Sequence, residues 1–223
     1  MNRRTWLLAV SIAFVGGCQR NPPSPGQAVV GEVGYGTISG HTYSNDFFGL
    51  EVAFPDNWYI QSREEFDEIR KRGEQVVGAN KNLKAAVQAA QATTLNLISA
   101  FEHPPGTPVL FNANIMLMAE KVKHLPGIRN GGDYLELMKR TMGMTAIKYE
   151  FDAVESGHKL GNLDTHCLPA RMMLGTQKVH QRIYATRTGD YVLVISCSYG
   201  SDEQLEIIKG VLAKAKGGAD KRQ

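Results

Sequence analysis

Charge of one sign is scarce in this sequence: 25 lysines and arginines stand against 22 aspartates and glutamates in 223 residues. The signs also alternate locally, as in Arg63-Glu64-Glu65 and Glu68-Ile69-Arg70-Lys71-Arg72. A nucleic-acid binder carries a basic face, and this pattern excludes that class. Also missing is an apolar run long enough to cross a bilayer. The oily stretch from Thr5 to Gly17 falls short of the about 20 residues a spanning helix needs, and it gives way to Gln19-Arg20 and the Pro-rich Asn21–Gly26. Sequence motifs for chemistry are absent as well. None of the six histidines falls in a His-Glu-x-x-His pattern, and there is no Cys-x-x-Cys, nucleophile elbow, phosphate loop or acid–base carboxylate pair. No catalytic, cofactor-binding or metal-ligating residue is therefore assigned from motifs, and no cofactor is expected.

What is present begins with an address. Arg3-Arg4 precedes the oily run, which closes on small residues, the order of an export signal. Paired arginines before Thr5-Trp6-Leu7 also resemble a twin-arginine signal. Val15-Gly16-Gly17-Cys18 resembles the bacterial lipobox, in which an aliphatic and two small residues precede a cysteine that receives a diacylglycerol. The resemblance implies cleavage after residue 17 and acylation of Cys18. Each buried CH₂ of an acyl chain adds about 0.8 kcal/mol of membrane affinity, so two or three chains anchor where one does not. The expected location is the exported face of a membrane, periplasm or cell exterior, held by lipid. Gln19 hints at outer-membrane sorting. Loss of residues 1–17 removes Arg3 and Arg4 and leaves 23 basic against 22 acidic residues, a net charge of +1.

The expected organisation is a signal over 1–17, the lipidated cysteine with a Pro/Gly-rich spacer over 18–40, one domain over 41–217 and a polar tail over 218–223. About 190 residues after the Pro-rich segment suit a single domain, and a 43% hydrophobic content can fill its core. Phe48–Pro55 alternates as a strand, followed by a turn at Asp56-Asn57 and by Trp58-Tyr59-Ile60. Ser62-Arg63-Glu64-Glu65 is a capping box that opens a helix. Leu83, Val87, Ala90, Thr94, Leu97 or Ile98, and Phe101, spaced by threes and fours, predict a second helix ended by His103-Pro104-Pro105-Gly106. Val109–Val122 reads as a strand, and Asp133-Tyr134-Leu135-Glu136 as the cap of a helix running to Met142 and Gly143. Tyr149–Val154, Leu163–Leu174, Val179–Thr186 and Tyr191–Tyr199 read as strands of an antiparallel meander. Ser201-Asp202-Glu203-Gln204 caps a last helix.

Tyr43-Ser44-Asn45-Asp46-Phe47-Phe48-Gly49, leading through an alternating strand to Pro55 and Trp58, resembles the opening signature of the PsbP-like superfamily. Arg182–Tyr191 is similar to that family's hairpin before a last strand and helix. The resemblance implies an α+β fold, an α-β-α sandwich around a central antiparallel sheet. It also implies a binding or assembly role. The expected function is a non-enzymatic module of the cell envelope with an envelope protein as partner and the membrane reached through Cys18. The alternatives are an exported hydrolase with a site near His158, Asp164 and His166, or a carrier of a small ligand or metal. Trp58 and Tyr59 form a candidate ligand groove. His166, Cys167 and His180 could approach one another for a metal, although adjacent residues of a strand face opposite ways. Met138 and Met142 share a helix face that could hold copper(I), but such spacing is ordinary core filling.

In the meander, Cys167 lies two strands from Cys197 and four residues out of register, which separates their Cα atoms by about 16 Å against the less than about 7 Å that a disulfide requires. Alkylation of the unfolded mature protein without reductant should therefore add a label at both Cys167 and Cys197. Absence of label would overturn the strand order or its register.

Overall fold

The computed structural model describes residues 32–68, 93–144 and 147–217. Cys18, the signal, the polar tail and most of the region between the capping box and Thr93 lie outside them. A three-stranded sheet joins β1 (Thr37–Ser39), β2 (Thr42–Asn45) and β3 (Leu50–Ala53). The main sheet is wholly antiparallel. Its order is β4 (Tyr59–Ile60), β5 (Thr94–Phe101), β6 (Asn114–Lys121), β11 (Tyr191–Tyr199), β10 (Gln177–Thr188), β9 (Leu163–Leu174) and β7 (Tyr149–Phe151), with β8 (Glu155–Leu160) also paired to β9. The path ends in strands of two and three residues.

The pleat divides the buried residues into two cores. Leu193, Ile195 and Cys197 point to a core closed by Tyr43, Val52 and Trp58 and by helix α2 (Asp202–Lys214) through Ile208 and Val211. Val192 and Val194 point to the other core, covered by helix α1 (Gly131–Gly143) through Tyr134, Leu135, Met138 and Met142. The protein is thus α+β, a large antiparallel sheet sandwiched between helices. Both methionines of the candidate copper face fill this second core.

Local chemistry accounts for the caps. Ser62 Oγ accepts from Glu65 N at 3.2 Å while Glu65 Oε2 accepts from Ser62 N at 2.9 Å, and residues 63–68 are helical after them. Ser201 Oγ accepts from Gln204 N at 3.3 Å to open α2. The expected Asp133 cap is corrected: Asn130 is the N-cap, accepting from Asp133 N, and Asp133 sits in the first turn near the positive end of the helix dipole.

Other expectations are also revised. Thr94–Phe101 is strand β5 rather than the end of a helix, and the earlier part of that expected helix lies outside the described residues. Only Asn114–Lys121 of the expected strand 109–122 pairs, and the expected strand 149–154 is β7 followed by a separate β8. Packing reaches into the segment expected to be spacer, because Val33 is buried and β1 begins at Thr37. Tyr184 lies opposite both Cys167 and Ile195, so Cys167 and Cys197 are two residues out of register rather than four. Two strand spacings and two rises still separate their Cα atoms by about 12 Å, and both thiols are free and buried.

The Tyr-x-Asn signature has a structural reason. Asn45 Oδ1 accepts from Phe48 N at 3.3 Å, and its Nδ2 donates to Tyr43 Oη at 3.2 Å and to Val33 O at 3.5 Å. Gly49 then takes φ +56° to return the chain into β3, a left-handed conformation that glycine adopts without a Cβ penalty. Asn45→Ala leaves these buried groups unpaired and should lower unfolding stability by about 1–3 kcal/mol in a urea titration.

Tyr134 Oη donates to Glu120 Oε2 at 2.5 Å, pinning α1 to β6. Burial holds the Glu120 carboxyl above its ordinary 4.5, partly opposed by that hydrogen bond. A raised carboxyl favours folding while protonated and opposes it once ionised, so stability is lost as pH rises from about 4.5 through the raised value. Glu120→Gln keeps an acceptor for Tyr134 without the charge. Its urea midpoint should exceed that of the wild type at pH 7 and approach it near pH 4.

Candidate functional site

Strand β8 carries the residues Glu-Ser-Gly-His-Lys-Leu. In a regular strand Glu155 and His158, three residues apart, would face opposite ways. Here they do not, because the register slips between them: Glu155 lies opposite Cys167 and His158 opposite Thr165. Three steps on β8 match two on β9, which is a β-bulge, and Gly157 at φ +81° supplies the left-handed residue. Directly opposed residues of an antiparallel pair share a face, so Glu155, His158 and Cys167 share one. Tyr184 joins them as the partner of Cys167 on β10, Arg182 as its neighbour two residues away, and Cys197 as the partner of Arg182 on β11.

The side chains meet there. Glu155 Oε2 lies 2.9 Å from His158 Nε2 and accepts from Arg182 Nη2 at 3.3 Å. Arg182 and Tyr184 stand on the same face beside Cys167, and the His158 ring meets the Tyr184 ring edge-on with centroids 5.7 Å apart. One ligand atom from each of Glu155, His158 and Cys167 falls within 4.8 Å of the others. Cys167 is completely buried, while the His158 and Glu155 side chains are 31% and 43% exposed, so the cluster opens to solvent on one side. Burial pushes the Cys167 thiol above its ordinary 9.0, with Arg182 pulling it back only in part. Burial raises Cys197 as well. A buried, protonated thiol is a poor nucleophile. Arg182 Nε is buried without a hydrogen-bond partner among the described residues.

The residues singled out from sequence fall elsewhere, apart from His158 and Cys167. Asp164 is bound to Lys159 at 2.5 Å and is 83% exposed. His166 points to the opposite face of the sheet, under α1, where a Cβ on Gly132 would come within 2.8 Å of its ring. His158, Asp164 and His166 therefore do not assemble a hydrolase site. His180 stacks on Tyr199 with ring centroids 5.4 Å apart, so His166, Cys167 and His180 do not converge on one ion either. Trp58 is buried in the first core and Tyr59 Oη donates to Glu65 Oε1. Sequence reasoning missed Glu155, Arg182 and Tyr184. The usable signal was Gly157 inside a short polar run between strands, the usual mark of a bulge.

A second feature is the loop beyond the end of β11. The loop between β5 and β6 is closed by a reciprocal pair, His103 N to Asn112 Oδ1 at 2.9 Å and Asn112 Nδ2 to His103 O at 2.8 Å. Gln204 of α2 holds it from the side, donating to Phe111 O at 3.2 Å and to Glu102 Oε2 at 2.6 Å. On this fixed loop Leu110 is 93% exposed.

No family model matches the chain, and no curated protein does. Among solved structures the chain is similar to that of LpqN, described as involved in cell envelope biogenesis of Mycobacterium tuberculosis. The two share 12% identity, the match covers 75% of this chain and 82% of that one, and the TM-score is 0.36. At that score the likeness carries no functional argument, and the fold rests on the strand register above.

Proposed function

We propose that the chain is an exported lipoprotein, tethered to a membrane through Cys18, that binds or helps assemble a protein component of the cell envelope without catalysing a reaction. The tether rests on the signal-like N-terminus and the Val15-Gly16-Gly17-Cys18 pattern. The observation that carries the binding reading is the placement of two features at opposite ends of β11. Near its start, Tyr191 Oη donates to Glu32 Oε2 at 2.7 Å, and Lys121 pairs with the same carboxylate, which is where the chain enters from the N-terminal side. Past its end, at Gly200, stands the loop with Leu110, since a Cβ on Gly200 would lie 3.0 Å from Phe111 Cβ. Eight strand rises separate the two by roughly 26 Å. The adjacent exposed Val109 and Leu110, on a loop closed by hydrogen bonds at the end of the strand opposite the chain's entry, support the reading of a protein contact there. The protonated, enclosed Cys167 also favours binding over thiol catalysis.

Palmitate labelling in the native cell should mark the wild type and not Cys18→Ala. A photocrosslinking residue at position 110 should capture one envelope protein, the same residue at exposed position 164 should not, and Cys18→Ala should abolish the capture. An unlabelled wild type released from membranes would overturn the anchor. Equal capture from positions 110 and 164 would overturn the docking end.

A further inference from the structure

We propose that Glu155, His158 and Cys167 form a site for a borderline-soft divalent cation of the zinc type, whose place Arg182 holds when the metal is away. This inference stands apart from the tether and the Leu110 loop. A thiolate, an imidazole and a carboxylate are the three donor kinds that zinc takes in sites with one position left open. Calcium and magnesium prefer oxygen ligands alone, so the sulfur and nitrogen select against them. The spacing suits one ion, since the three ligand atoms lie within 4.8 Å of one another. The access suits it too: sulfur forms the floor of the cluster, and the half-exposed imidazole and carboxylate form the rim.

Arg182 is the second observation. Its guanidinium donates to Glu155, one of the three would-be ligands, and stands on the same face beside Cys167, a second, so a cation already sits against the groups that a metal would bridge. Its Nε is nonetheless buried with no acceptor among the described residues, so the guanidinium does not fit the pocket as a purely structural ion-pair partner would. The Arg182 side chain is 24% exposed. On metal binding the sulfur–metal bond forms, the thiol proton leaves to solvent, and the guanidinium gives up the Glu155 carboxylate to the divalent ion.

Full-length protein in detergent should be titrated with Co(II), read through the near-ultraviolet thiolate-to-cobalt charge-transfer absorption, and with Zn(II) by equilibrium dialysis, Mg(II) serving as control. One equivalent of cobalt and zinc should be retained, and magnesium should not. Cys167→Ser should abolish the absorption. Because Cys167 is a core residue, His158→Ala provides an independent test at a half-exposed position and should weaken retention at least about tenfold, the lower end of what losing even an outer partner costs a metal site. Arg182→Gln should tighten binding several-fold, while His180→Ala should leave it unchanged. Failure of the wild type to retain cobalt or zinc in the micromolar range, or retention indifferent to both Cys167→Ser and His158→Ala, would overturn the site. Weaker binding by Arg182→Gln would overturn the placeholder role.

Discussion

The central strand β11 is buried on both faces along all nine residues from Tyr191 to Tyr199, and this constraint governs the fold around it. A strand enclosed on both sides needs apolar or small side chains at every position, and Tyr-Val-Leu-Val-Ile-Ser-Cys-Ser-Tyr meets that requirement. It also needs a cover for each face. Helix α1 with Leu135 and Met138 supplies one, and the β2–β3 hairpin with Trp58 and α2 supplies the other. Either cover alone would leave half of β11 against water, so the two cores are coupled through this strand. Neighbours β6 and β10 inherit the pattern because opposed residues share a face: Ile115 lies beside Cys197, and Leu117 and Tyr184 flank Ile195.

The same pleat fixes where polar groups can gather. On the α2 side of the sheet, apolar rows on β6 and β11 give way on β10 and β9 to Arg182, Tyr184 and Cys167, at positions set by register alone. Regular pairing of β8 would have added either Glu155 or His158 to that row and sent the other to solvent. The bulge at Gly157 adds both. A single glycine in the left-handed region thus determines whether a carboxylate and an imidazole meet the thiol.

This division explains what was legible in the sequence. Strands β9 and β10, the caps at Ser62 and Ser201 and the end of α1 depend on alternation and on residues within four positions of each other, while β11 is a short apolar run bounded by Gly189 and Gly200, and those patterns stand in the text of the chain. The segment Thr94–Phe101 was ambiguous for a physical reason: Thr94, Leu97 and Phe101 satisfy a helical spacing, yet in the fold the run is buried at nearly every position, and continuous burial has no period to read. Strand β8 was missed because five of its six residues are polar or glycine and its pairing is interrupted. The cluster was legible only in fragments. His158 and Cys167 stood out as residue types, but their meeting depends on a bulge, and Arg182 and Tyr184 join through cross-strand register across 15 and 17 positions of sequence. The antiparallel sandwich follows from patterns close in sequence, whereas the site follows from pairings far apart in it.

A cost argument bears on why the cluster exists. Taking charged groups out of water is expensive, and a partly enclosed arrangement of guanidinium, carboxylate and imidazole returns that cost only through good hydrogen-bond geometry. Replacing such a group by apolar side chains of similar volume is commonly neutral or stabilising. The rest of this face shows the apolar solution at work, with Leu117, Leu193 and Ile195 filling equivalent positions without a charge. At Arg182 the chain instead carries a cation with one buried nitrogen unpartnered among the described residues, its one carboxylate acceptor shared with His158, and a glycine bulge that brings the histidine in. Packing and stability alone do not call for that arrangement. It is economical only if the three groups around the guanidinium have something further to hold.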